Sequence, residues 1–429
     1  MDGTDYVHHD LHLERIEASM TDGISRRSFL TTGAAAAAAG GAGFGLAQAF
    51  DGGGRVESGH DRPRRQHAWA DALDLDEHGN HVMAVFHRLV MWNVESSPTD
   101  SDVSQLESSL VHIESNYRYD HTGVLMALGW GPRYFERYAN HTALLPHPEP
   151  LSSFETPELD TYDACLHLAS DDEARLDDIV SALTAGEGPL AGKIGVVPQA
   201  LELAEVRTGF VGAGVPAQRQ DVGGIPGGRP VPENSPLFMG FRSGFRKNQA
   251  TEDDVTIETG PLAGGTTMHV SRMRLRLDSW YELLDEDERA ARMFSPKTTA
   301  VDADALTNEA PDFAAELEET AQEHGVVGHL QASATARREG RPLIIRRDFN
   351  TVDGGQAGLH FVALQRSIED FNQTRLAMNA AKTATRHAGI DARSNNGINE
   401  FIFVTSRANY LIPPRADRSF PLLSGIAEA

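Results

Sequence analysis

One cysteine, Cys165, stands in a chain of 429 residues. A single thiol can close no intramolecular disulfide and build no cysteine-held zinc or iron–sulfur centre, so any metal chemistry here must use other ligands. Cys165 lies in an apolar run and reads as a small core hydrophobe. Lysine is scarce too: there are four (Lys193, Lys247, Lys297, Lys382), and every other basic residue is arginine. Acidic residues number 62 against 38 basic ones, a formal net charge of −24, and no basic run occurs. Nucleic acid is thereby excluded as a partner, because phosphate binding needs a basic face. An acidic, lysine-poor surface suits concentrated salt, where screening removes self-repulsion, and points to a halophilic source.

Residues 1–50 read as a leader. The polar start carries His8, His9 and His12, a trio expected to be a disordered lead-in rather than a metal site. Ser25-Arg26-Arg27-Ser28-Phe29-Leu30 follows, then an Ala/Gly segment ending Ala47-Gln48-Ala49. That segment is too short and glycine-rich for a convincing membrane span. The twin arginine before it resembles a Tat export signal. The resemblance implies the Tat machinery as a partner and an extracytoplasmic location, secreted or anchored. It also fits a chain that takes up a cofactor before export, since that route carries folded proteins. Residues 51–75, charged and with three consecutive glycines at 52–54, are expected to be a linker.

Two similar units follow, at 76–210 and 237–425. The first reads as a strand at His81–Trp92, a helix at Asp102–Ser115 with apolar Val103, Leu106, Leu110 and Ile113, and a strand from Gly123 into a Gly131-Pro132 turn. A strand at Tyr162–Asp171 and a helix from Asp172 to Ala185 complete it. The second offers a strand at Thr266–Leu277, whose apolar positions change faces, so that either a bulge re-aims it or both faces are covered. A helix capped near Asp278 is expected to run to Met293, a strand to occupy 358–365 and a helix Ser367–Ala388. Between the units lies a Gly/Pro-rich loop, 211–236, expected to border a pocket. The order implies antiparallel α+β sheets with helices on one face, in two copies.

The chemistry concentrates between Gly328 and Gln365. His329 follows a glycine, and Arg346-Arg347 stand 17 and 18 residues further on. An imidazole can ligate iron, zinc or copper, and a fixed cation can stabilise charge developing on a reacting oxygen. On spacing alone His329 could equally be a structural histidine.

These residues, the aromatic two places after Arg347 and the run Gly358-Leu359-His360-Phe361-Val362-Ala363-Leu364-Gln365 together resemble the C-terminal half of dye-decolourising (DyP-type) haem peroxidases. Gly264-Gly265 to Trp280 resembles another segment of that family, and Gly129-Trp130-Gly131-Pro132 its N-terminal turn. The resemblance implies a duplicated ferredoxin-like fold of the dimeric α+β barrel type, with one haem b on the second half. It implies His329 as the iron ligand and Arg346 as the distal arginine. The interval is a residue shorter than is common in the family, which leaves Arg347 as the fallback. The family's G-x-x-D-G motif matches Gly240-Phe241-Arg242-Ser243-Gly244, so Ser243 replaces the proton-shuttling aspartate. Gly240, Phe241, Arg242, Gly244, Arg347 and Phe361 are then expected to contact the cofactor.

Three departures stand out. Gln331 occupies the place of an arginine that meets a haem propionate, leaving Arg337 or Arg338 to take over. His324 is a second, weaker candidate ligand. His360 is either a core histidine or a substitute base, and it cannot share a face with Phe361. The function expected is an exported peroxidase that uses hydrogen peroxide to oxidise an organic reductant, slowed by Ser243. A haem carrier, sensor or iron-release protein without turnover, and a haemless relative, remain alternatives. A homo-oligomer is compatible with the acidic surface.

Overall fold

In the computed structural model, residues 62–139, 144–306 and 312–423 are described. The leader, the twin arginine and residues 51–61 of the expected linker lie outside the described residues.

The first half runs β1 (Phe86–Val94), α1 (Asp100–Asn116), β2 (Leu125–Trp130), β3 (Ala164–Ser170), α2 (Glu173–Ala185) and β4 (Leu201–Phe210). The second half runs β5 (Thr266–Leu275), α3 (Leu277–Glu282), α4 (Glu286–Met293), α5 (His329–Ser333), β6 (Ile345–Arg346) and β7 (Phe349–Thr351). It continues through β8 (Gly358–Gln365), α6 (Ile368–Ala377), α7 (Ala381–Arg386) and β9 (Ile402–Ile412). Local sequence explains the helices. Thr99 and Asp102 cap α1 reciprocally, and Leu106, Leu110 and Ile113 recur along one buried face. Asp172 caps α2, which stops at Gly186 with φ +67°.

Both halves show one antiparallel strand order. It is β4-β1-β3-β2 in the first and β9-β5-β8 followed by β6 and β7 in the second. Fourth, first, third and second strands are thus side by side twice, which is the duplicated ferredoxin-like arrangement. Two short junctions join the halves into a closed circuit: Asn350 of β7 pairs with Phe210 of β4, and Leu411 of β9 with Trp130 of β2. Closure leaves few free sheet edges.

Alternation along the strands gives each face its own core. Leu89, Met91, Leu125, Cys165, Val270 and Val362 point inward and pack in one cluster with Phe349 and Tyr410. The opposite faces pack under helices, with Val90, Met126 and Leu166 of the first half against α1 and α2. Both faces of β5 are covered and its pairing to β8 is regular, so no bulge is needed there. The register shift occurs instead in its neighbour β9, between Val404 and Ser406.

Several boundaries differ from expectation. Residues 62–75 are not a linker: Gln66, His67 and Trp69 are buried, and Trp69 joins the barrel core. Arg65 pairs with Asp253, and Arg62 donates to the Glu114 and Tyr117 carbonyls, so the charges that suggest solvent are satisfied by the fold. The helix expected at 278–293 is two, because Asp285 and Glu288 form a capping box that starts a new one. The helix expected at 367–388 breaks at Ala380, where φ is +42°. The Gly/Pro loop carries a short helix at Val215–Gln218, and its Gly223 backbone pairs with Gly355 and Ala357.

The buried histidines make stability pH-dependent. Burial, helped by Arg347, holds His67 and His87 each down to about 3 from 6.5. Unfolded, each takes up a proton below about 6.5, whereas the folded protein leaves both neutral until about 3. Between these limits the unfolded state binds more protons, so stability is complete above the upper one and is lost as pH falls through the window. Each histidine contributes a slope of up to about 1.4 kcal/mol per pH unit. Urea midpoints measured at several pH values between 7 and 4 are expected to fall steadily, and a flat series contradicts this.

Candidate active site

The candidate site lies on the outer face of the second half. In β8, His360 points inward, its ring 5.4 Å from that of Phe349, while Phe361 and Ala363 point outward toward Phe371 of α6. Register then places the arginine pair: Arg346 lies opposite Ala363 and shares its outward face, so Arg347 falls on the other. Asp348, two residues from Arg346, returns to the outward side.

His329 opens α5. Two glycines admit it. A Cβ on Gly328 would lie 2.1 Å from the Phe294 carbonyl oxygen, and one on Gly397, at φ +55°, would lie 3.0 Å from the His329 Cα. Gln331 is wholly buried and works on the helix start. Its Oε1 accepts from the Gly328 N–H (3.0 Å), and its Nε2 donates to Thr320 Oγ1 (3.0 Å) and Ser295 Oγ (3.2 Å). The residue standing where the family has a propionate-binding arginine is therefore a clamp that fixes the backbone before His329.

Among the described residues His329 makes no hydrogen bond or ion pair. Burial, then the positive charges of Arg346 and Arg375, hold its imidazole down to about 3, so it is neutral with a free lone pair at neutral pH. A neutral, half-accessible imidazole with no protein partner suits a ligand role. His324 does not: it is exposed at the end of its helix beside Glu323.

Arg346 is fixed through its backbone. Its N–H donates to Gln249 Oε1 (2.8 Å) and its carbonyl accepts from Gln249 Nε2 (3.3 Å). The guanidinium is nearly free: one nitrogen reaches the Asn248 carbonyl at 3.5 Å, and the buried Nε has no partner. Arg347, by contrast, stacks on Trp69 at 3.9 Å, donates to the His67 carbonyl and faces Glu252 at 3.8 Å. It belongs to the barrel interior, and the structure gives it no place beside His329.

The loop 240–244 faces this strand. Gly240 and Gly244 have φ of +91° and +81°, conformations that glycine adopts without strain. Trp280 Nε1 donates to the Met239 carbonyl (3.0 Å) and Tyr281 Oη to the Phe238 carbonyl (2.6 Å), pinning the loop to α3. Phe241 packs edge-on against Phe294 and Trp280. Arg242 turns away to pair with Asp76. Ser243 is brought to Asp348, its Oγ donating to the carboxylate at 3.4 Å. Burial pushes Asp348 up, opposed by Arg346 and by this hydrogen bond. Sequence reading passed over Asp348.

Arg337 and Arg338 are engaged elsewhere, Arg337 with Asn248 Oδ1 (3.1 Å) and carbonyls, Arg338 with Asp370. The other cation whose field reaches His329 is Arg375 of α6. It shares Glu155 with Arg407, two buried guanidiniums on one carboxylate, and its Nε is buried without a partner. His360 pairs with Asp353 at 3.3 Å and is a core histidine. Two surface clefts, of about 340 and 210 Å³, are lined by the Gly/Pro loop around Gln220–Arg229 and by residues around Pro261 and Ile368. Neither includes His329, Arg346 or Asp348.

The fold is similar to that of solved DyP-type peroxidases. A DyP-type peroxidase from Cellulomonas bogoriensis superposes with a TM-score of 0.52 at 19% identity, over 81% of this chain and 96% of that one. A dye-decolorizing peroxidase from Bacteroides thetaiotaomicron VPI-5482 gives 0.51 at 13%, over 81% and 97%. A DypB variant from Rhodococcus jostii RHA1, solved in complex with heme, gives 0.52 at 12%, over 82% and 97%. The chain belongs to DUF7405, a family of unknown function whose model matches residues 84–414. Comparison with curated proteins gives no match.

Proposed function

We propose that this chain is a haem-dependent peroxidase, exported through the twin-arginine route, that reduces hydrogen peroxide and oxidises an organic substrate. The observation that carries the reading is a neutral, unpartnered imidazole at His329 in the electrostatic field of an arginine whose buried Nε is also unpartnered. An unsatisfied buried polar atom is costly, and the buried Arg346 Nε together with the unpartnered, half-accessible His329 imidazole fits a third component between them.

The residues present fit haem. His329 would hold the iron, Phe241 and Phe361 would pack on the ring, and Arg375 would meet a propionate with the charge that Glu155 leaves uncompensated. Haem, when bound, supplies an iron at which peroxide is cleaved and through which a reductant is oxidised. Arg346 stabilises the negative charge that grows on the departing oxygen, and burial strengthens this by keeping water from screening it. A haem protein without turnover is the second reading, supported by Ser243 in the place of the family's acid.

Arg346→Leu separates the two. In the peroxidase the variant is expected to load haem as the parent does and to react with peroxide about 10²–10³-fold more slowly in stopped-flow absorption. Equal rates in both proteins would leave haem binding without turnover as the better account.

A further inference from the structure

The peroxidase reading leaves open which group moves the proton, and Ser243 cannot act as a base at neutral pH without an activating partner. Asp348 is that missing acid by position. It follows Arg346 by two residues in extended backbone, so both side chains leave the strand on the outward face. The loop that carries Ser243 at the family's acid position delivers its hydroxyl to the Asp348 carboxylate at 3.4 Å. This contact is long for an O–H···O bond, and it is the one side-chain hydrogen bond to that carboxylate among the described residues, the residue's own backbone N–H being a further partner. Among the described residues Asp348 makes no ion pair within 4 Å, although Arg346 acts on it and has a buried, unpartnered Nε. An arginine and an aspartate that share a face and do not close on each other leave a polar gap between them.

We propose that Asp348, entering from the strand rather than from the glycine loop, is the proton-transferring residue of the site, and that Ser243 is a positioning residue holding its carboxylate. The proposal rests on the haem peroxidase reading. Asp348 accepts the proton from the oxygen of hydrogen peroxide that stays behind, and returns it to the other oxygen. That oxygen takes both electrons of the broken O–O bond and leaves as water. The retained oxygen would become a second water once the organic reductant has supplied two electrons and two protons have been taken up. Burial favours the protonated acid and Arg346 the carboxylate, which suits a group that must do both. The charged group acting on it is Arg346 at the end of β6, while the neutral His329 and Arg375 are coupled to Arg346's side of the site and Arg242 of the facing loop is taken by Asp76.

The test uses the haem-loaded full chain and reads cyanide binding to the ferric protein, which also needs a local proton acceptor, alongside the rate of reaction with peroxide. In the parent, cyanide association is expected to fall on acidification as Asp348 protonates. Asp348→Asn is expected to lose that acid limb and to slow the peroxide reaction about 10²–10⁴-fold, with the Soret band retained. The double variant S243D/D348N returns a carboxylate from the loop side and is expected to regain the acid limb and at least about tenfold in rate. If Asp348→Asn does not fold, Asp348→Glu takes its place and is expected to shift the acid limb. A haem-loaded Asp348→Asn with the parent's pH profile and rate overturns the role of Asp348 while leaving the peroxidase reading standing. A parent chain that takes up no haem overturns both.

Discussion

Replacing His329 with alanine is expected to abolish stable haem binding. The side chain sits where two glycines allow close backbone approach, Gly328 against the Phe294 carbonyl and Gly397 against the His329 backbone. Gln331 fixes the turn before it, and burial, helped by Arg346 and Arg375, keeps the imidazole neutral, the form that donates to a metal. Loss of an outer partner of a metal ligand alone costs 10–100-fold in affinity, so loss of the ligand itself is expected to cost on the order of 10³-fold. His324→Ala, which removes an exposed histidine, is expected to leave the affinity within about twofold. Haem titrations followed at the Soret band check both, and equal affinities for parent and His329→Ala would remove the ligand assignment.

Glu155→Ala is expected to be strongly destabilising, because this first-half carboxylate holds two buried arginines of the second half. The carboxylate is almost inaccessible and accepts from Arg407 at 2.9 and 3.0 Å through Nη2 and 3.2 Å through Nε, and from Arg375 at 3.4 Å. Arg407 is further held by Ser271 Oγ and His269 Nε2, and Arg375 by Asn379 Oδ1 and the Phe154 ring. Removing the acid leaves two guanidiniums buried side by side. Breaking a buried pair in this way costs about 3–5 kcal/mol, several times the worth of a surface pair. Glu155→Gln keeps an acceptor oxygen and is expected to fall between. Urea unfolding measures all three, and a midpoint unmoved by Glu155→Ala would mean that the charges find other partners.

Much of the fold was legible because periodicity reports which faces are covered. Leu106, Leu110 and Ile113 declared α1, and the likeness of the two halves declared the duplication. Closure of the barrel was legible only through the family resemblance and not from periodicity, since it depends on pairs as remote as Leu411 with Trp130. Composition misled at 62–75, where arginines that look solvated pair with distant groups such as Asp253. At the site, His329, Arg346 and Ser243 could be picked out singly by resemblance, but Arg347 could not be separated from Arg346 until strand register put them on opposite faces. Asp348 was hidden for the converse reason. The acid was sought where the family keeps it, at position 243, although alternation from Arg346 already places Asp348 on the same face.

The central claim is that this face of the second half binds haem through His329. The direct measurement is addition of haem to the purified full chain in high salt, with absorption spectra recorded before and after imidazole is added. The account predicts a sharp Soret band at one haem per chain, lost in His329→Ala and recovered when imidazole fills the vacated position. A band equally strong in His329→Ala without imidazole, or no band in the parent chain, would contradict it.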